Sequence, residues 1–303
     1  MENLLSLAFD NLSSYDGPKV RKGLRQVEGL LANICLSQPR SQSKHRRASS
    51  MPNAPVLDQE EESPPPTLDE ITKDPAFYEF FKLQEGFEWN VAMRLVNTLD
   101  RLVARGGDGS NDLLILSALD LLQGVMLLHP PSKALFSREM YMNLLLDLLE
   151  PDFCPAIQSS TIVTLVTALI DTPHNTRTFE NLDGLLTVTS LFRSRSTSRD
   201  VKLKLVEFLY FYLMPEVPSI PSAQTRDSVP GLLQRSPSKL AKAFSFANGG
   251  PGKGENGGRP RSAGDGETRT QEEKQALLGR HLNSVQELVA DLRQNAPFGG
   301  VLV

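Results

Sequence analysis

The chain is poor in the residues that do chemistry. Its 303 residues include two cysteines, four histidines and one tryptophan. Cys35 and Cys154 each lie in an apolar, helical setting, which predicts reduced, buried thiols in a cytosolic or nuclear protein rather than a disulfide framework. His45, His129, His174 and His281 are dispersed, with no i, i+4 pair and no cysteine nearby, so no zinc site is expected. Charge of one sign is lacking too. The 32 basic and 36 acidic residues leave a net charge of −4 and give no support for nucleic-acid binding. No apolar run reaches the ~18 residues of a membrane span, so no membrane insertion is expected. The first ten residues lack the basic start of a secretory signal and read as a helix.

Nucleotide chemistry is missing as well. The glycine-rich stretch around Lys253 is a poor phosphate loop. Ala247 stands where the first glycine belongs, and Gly254 stands where a magnesium-binding Ser or Thr belongs. A flexible linker explains it. Neither His-Arg-Asp nor Asp-Phe-Gly occurs, so the chain is not a kinase. The expectation is a protein without enzymatic activity, cofactor or metal.

What is present is a helical pattern that returns about every 43 residues. Phe136 opens one copy and Phe179 the next. Ile162, Leu165, Val166, Leu169 and Ile170 return as Leu205, Phe208, Leu209, Tyr212 and Leu213. Proline follows each copy, at Pro173 and Pro215, and a weaker copy ends with Leu119, Leu122, Met126 and Leu127 before Pro130. Helical repeats of roughly 40–47 residues are the signature of armadillo and HEAT arrays. Such arrays bury a shared core between stacked helices and present a long surface to a partner. The fold expected is therefore all-α: an armadillo/HEAT-like, right-handed α-α superhelix with essentially no sheet.

Composition divides the chain. Residues 1–39 carry two helices, the second led by Pro18, which suits a first helical position. Residues 40–72, with Lys44-His45-Arg46-Arg47, Glu60-Glu61-Glu62 and three consecutive prolines, cannot bury enough apolar surface and are expected to be a disordered insertion. Asp74-Pro75 caps the return of order, and residues 73–214 hold the repeats. Helices are expected over 77–105, 111–128, 132–149, 156–171, 175–193 and 198–214. Residues 215–271 read as a second disordered linker. Residues 272–293, within a closing segment 272–303, form an amphipathic helix with Leu278, Leu282, Val285, Val289 and Leu292 along one stripe. That helix is expected to pack back on the repeats, with docking on another protein as the alternative.

Several of these runs resemble a known family. They are Asn3–Leu12 and Lys22–Leu31 at the start, Phe208-Leu209-Tyr210-Phe211-Tyr212-Leu213-Met214-Pro215-Glu216, and Asp291-Leu292-Arg293 with Ala296-Pro297-Phe298-Gly299-Gly300 near the end. Together they resemble the fungal cell division control protein 14 family, a component of the septation initiation network. An unrelated dual-specificity phosphatase shares that family's name. It needs a cysteine nucleophile with an arginine six positions on to hold phosphate. Ser41 and Ser160 stand at those positions after Cys35 and Cys154, so the phosphatase reading fails.

The resemblance implies a non-catalytic scaffold or regulatory subunit of a germinal-centre-type Ste20-like protein kinase. It also implies other septation-network partners, and a cytoplasmic protein recruited to the spindle pole body to promote septum formation and cytokinesis. The alternative is a general armadillo-type adaptor for extended peptides. Those grooves usually carry asparagine ladders, whereas the matching positions here are Thr164, Thr167, Glu207 and Tyr210. These four are expected to line the partner groove, with Tyr210 either an anchor or merely packed on the next helix. His45 stands five residues and Arg47 three residues before Ser50, a spacing that resembles the preference of nuclear-Dbf2-related kinases, and Arg46 and Arg47 make Ser49 a generic basophilic site. Ser236-Pro237-Ser238-Lys239 matches the preference of cyclin-dependent kinases. All three serines are candidate phosphosites.

Overall fold

The computed structural model describes residues 1–36, 68–105, 109–216 and 268–285. They contain twelve α-helices, one 3-10 helix and no strand. The helices are α1 (Glu2–Leu12), α2 (Gly17–Leu36), α3 (Leu68–Ile71), α4 (Pro75–Glu85), α5 (Val91–Val103) and α6 (Asp112–Leu128). A 3-10 helix (Pro130–Ser137) leads to α7 (Glu139–Asp147), α8 (Pro155–Leu169), α9 (Pro173–Asn181), α10 (Gly184–Arg193), α11 (Arg199–Leu213) and α12 (Gln271–Leu278).

Two of the expected long helices are each split in two. The 77–105 segment breaks between α4 and α5. Gln84 receives the Val91 N–H at 2.7 Å and donates to the Trp89 carbonyl at 3.1 Å, which holds the turn closed. Asn90 then caps α5 through the Met93 N–H. The 175–193 segment breaks at Asp183, which adopts the left-handed conformation (φ 57°) and lets the chain reverse. The 132–149 segment begins as a 3-10 helix because Pro130 and Pro131 withhold two backbone donors. The cap read at Asp74 forms: Asp74 accepts the Ala76 N–H at 2.8 Å. Ser198 supplies another, at the start of α11.

The breaks produce three-element units: α4–α5–α6, then the 3-10 helix with α7 and α8, then α9–α10–α11. Equivalent elements pack on each other. The 3-10 helix lies between α4 and α9, and α8 lies between α6 and α11, while α2 extends the row beyond α6. Phe136 and Phe179, a repeat apart, are both fully buried. Polar groups join successive units. Asn175 donates to the Lys133 carbonyl at 2.8 Å and the Ala168 carbonyl at 2.7 Å. Thr178 donates to the Ser137 carbonyl. One core runs from Leu5 in α1 to Val285.

The amino-terminal end is closed by α1. Gly23 of α2 allows the approach, since a Cβ there would lie 2.9 Å from the Leu12 nitrogen. Arg101 of α5 donates to the Leu12 and Ser13 carbonyls, and Arg105 to the Tyr15 carbonyl. These guanidinium groups satisfy the otherwise unpaired end of α1.

Three expectations require correction. The 40–72 stretch is not wholly without structure: α3 forms at its end and Ile71 is buried. The closing helix does not run unbroken to 293. It stops at Leu278 with Gly279 as its C-cap, although Leu282 and Val285 beyond it are still buried. Val289 and Leu292 lie outside the described residues. Cys35 and Cys154 are half-buried free thiols rather than fully buried ones.

A Cβ at Gly184 would lie 2.2 Å from the Phe179 ring. Gly184→Ala is expected to destabilise the last unit by about 1–3 kcal/mol through overpacking. Denaturant unfolding with an unchanged midpoint would show that this contact is not constraining.

Candidate functional site

The row α6–α8–α11 sets the site. Because α8 is flanked on both sides, only Val163 stays exposed beyond its first turn (Pro155 and Ala156), with Ile170 exposed just past its end. Neighbouring helices add Leu113 and Leu127 from α6 and Leu203 from α11, all exposed. The exposed positions of the row thus mix these apolar side chains with polar ones, Ser117 and Asp120 of α6 and Glu207 of α11.

The four expected groove residues are not one ladder. Thr164 is completely buried and Thr167 nearly so. Thr164 accepts a hydrogen bond from Gln123 of α6 at 2.9 Å and donates to the Ser160 carbonyl. Thr167 donates to the Val163 carbonyl. The reason is position in the stack: α8 has a neighbour on each flank. Glu207 is exposed and pairs with Lys204 at 2.8 Å. Tyr210 is half-buried. Ile170, expected inside, is 40% exposed because α8 ends just before it. Ser49, Ser50 and Ser236 lie outside the described residues.

A second feature, which sequence reasoning missed, closes the carboxyl-terminal end. Glu180 of α9 and Glu216 beyond α11 have side chains only 5% and 7% exposed. Arg177 pairs with both. From the returning segment, Arg269 approaches Glu180 at 3.0 Å, and its backbone N–H donates to Glu216 at 2.9 Å. Lys274 of α12, itself buried, reaches Glu216 at 3.1 Å and the Met214 carbonyl at 3.0 Å, and lies over the Tyr212 ring. Tyr212 donates its hydroxyl proton to Glu180 at 2.7 Å. Thr270 and Glu273 form a capping box that starts α12. Burial raises the Glu180 and Tyr212 pKa values and lowers that of Lys274, against the pull of Glu216. Glu216 stands in the run Phe208–Glu216, which was the available signal. The cationic partners of its carboxylate lie too far along the chain for any spacing rule to reach.

The described residues contain no group of three His, Cys, Asp or Glu side chains placed to hold a metal ion. No single described helix is long and apolar enough to cross a membrane. His129 caps α6, bonds Ser132 at 2.8 Å and packs edge-on against Phe81.

The family model for cell division control protein 14, SIN component, matches residues 1–298. The chain belongs to this family. Cell division control protein 14 of Schizosaccharomyces pombe (strain 972 / ATCC 24843) is 25% identical over 299 residues, covering 99% of this chain and 97% of that protein. No solved structure matches. Membership in the cell division control protein 14 family makes this chain a component of the septation initiation network. Both the exposed row and the charged closure fall inside the matched region.

Burial holds the His129 pKa down to about 4. The unfolded chain takes up that proton near pH 6.5 and the folded chain does not. Stability from this group is therefore present above pH 6.5 and lost as pH falls toward 4, by at most about 3 kcal/mol. Urea unfolding of wild type and His129→Leu at pH 7 and pH 4.5 is expected to show the smaller pH-dependent loss in the variant. Equal losses would remove His129 from the acid response.

Proposed function

We propose that this chain is a non-catalytic scaffold or regulatory subunit, built as an armadillo-like superhelix, that holds a germinal-centre-type Ste20-like protein kinase in the septation initiation network. The observation that carries this reading is the set of exposed apolar side chains on α6, α8 and α11 of a rigid stack, in a chain of this family. Exposed apolar rows on helical arrays are binding surfaces. The kinase as occupant comes from the family resemblance, as do cytoplasmic residence and recruitment to the spindle pole body. The contact centres on the last two units, where Val163, Leu203, Glu207 and Tyr210 combine apolar area with a charge and a half-buried aromatic, the composition of interface anchors.

Affinity recovery from dividing cells tests this directly. Tyr210→Ala with Glu207→Arg is expected to lower the co-purifying kinase at least about tenfold. Val163→Glu alone is expected to act the same way. Circular dichroism should show helix content and melting point close to wild type in both. Full kinase recovery with folded variants would move the contact off this face. Cys35→Ser and Cys154→Ser are expected to leave recovery and septation intact, and loss of septation in a folded, abundant Cys→Ser chain would restore a thiol role.

A further inference from the structure

The closure of the last unit has the make-up of a receptor with a replaceable occupant. Glu180 and Glu216, supported by Arg177 and the Tyr212 hydroxyl, form a buried acidic seat. Without residues 268–285 the seat holds two carboxylates against one guanidinium, so it selects a cationic segment. The chain's own segment supplies Arg269 and Lys274, followed by Leu278, Leu282 and Val285, which are all buried.

The fit of that segment is incomplete. Arg269 Nε and Gln271 Nε2 of that segment are buried without an aligned hydrogen bond, although Arg269 Nε lies 3.0 Å from Glu180 Oε2. Buried charges paired by distance but not by alignment repay little of their desolvation. A cavity of about 170 Å³ adjoins Lys274 and Glu216, walled by Ile170, Pro173, Phe211 and Met214. No side chain of α12 other than Lys274 lines it. The two ends of the connection, Glu216 and Arg269, touch each other. The contacts of the closure do not themselves require that the bound segment belong to this chain.

We propose that the Glu180–Glu216–Tyr212 seat is a docking site for a basic amphipathic segment of another protein. That segment carries two cations about five residues apart ahead of a helical apolar stripe, with one further apolar side chain to enter the cavity. Residues 268–285 occupy the seat in cis and compete with it. The inference rests on the scaffold reading but not on the Glu207–Tyr210 face.

The probe is a labelled synthetic peptide of residues 268–285, and the protein is the full chain. Arg269→Glu with Lys274→Glu is expected to free the seat, so that the peptide binds this variant at least tenfold more tightly than wild type. Adding Glu180→Gln and Glu216→Gln should remove that gain. Equal binding to wild type and variant, or binding that ignores Glu180 and Glu216, overturns the proposal. If the charge-reversed chain does not fold, wild type carries the test by hydrogen exchange. Excess isotope-labelled peptide should speed exchange of the chain's own 268–285 at least tenfold and leave α8 unchanged. No change at saturating peptide overturns the proposal. Light scattering that shows concentration-dependent doubling of mass, through exchange of the segment between copies, would assign the seat to a second copy and overturn the assignment to another protein. Failure here leaves the kinase-recovery test of Glu207 and Tyr210 intact.

Discussion

The packing of α8 between α6 and α11 is the constraint on which the rest depends. A helix covered on both flanks and below buries most of its circumference, which is why α8 hides Thr161, Thr164 and Thr167 together with Ile157, Ile162 and Leu165. The hidden hydroxyls of Thr164 and Thr167 are tolerable because each donates to a carbonyl one turn earlier. Beyond the first turn of α8 the same packing leaves only Val163 outward. The exposed face is thus a by-product of stacking: it consists of the few positions that neither neighbour covers.

An array of stacked units must also be ended, and the two ends are closed by different chemistry. At the amino terminus α1 covers the core with Leu5, Ala8, Phe9 and Leu12, and Arg101 of α5 binds the carbonyls of Leu12 and Ser13 at its end. At the carboxyl terminus an apolar cover is combined with five charged side chains, most of them out of water. Buried ion pairs add little net stability compared with apolar packing, but losing one partner is costly. Such a closure discriminates sharply between a segment with the right cations and one without. That suits recognition better than it suits simple capping.

How much was legible in the sequence follows from the range of each interaction. The repeat, the cap at Asp74, the turn at Pro18 and the inward stripe of α11 rest on residues within a few turns of one another, and they could be read. The splits at Gly86–Asn90 and at Asp183 were missed because apolar spacing continues across them. Only the Gln84 staple and the left-handed Asp183 mark the breaks. In the candidate groove, Glu207 was placed correctly in the open, whereas Thr164 was not. Period alone cannot tell an outer helix of the row from one with neighbours on both sides.

By itself, then, the sequence determined the helical class, the spacing of the units and the family, because these depend on periodicity and on the order of local motifs. The tertiary structure alone decided which positions face solvent and how the carboxyl-terminal end is closed. Exposure depends on what lies on each flank. The meeting of Glu180, Glu216, Arg269 and Lys274 depends on the chain returning after a long excursion. Neither a neighbour's flank nor a returning segment leaves a periodic trace in the residues that meet it.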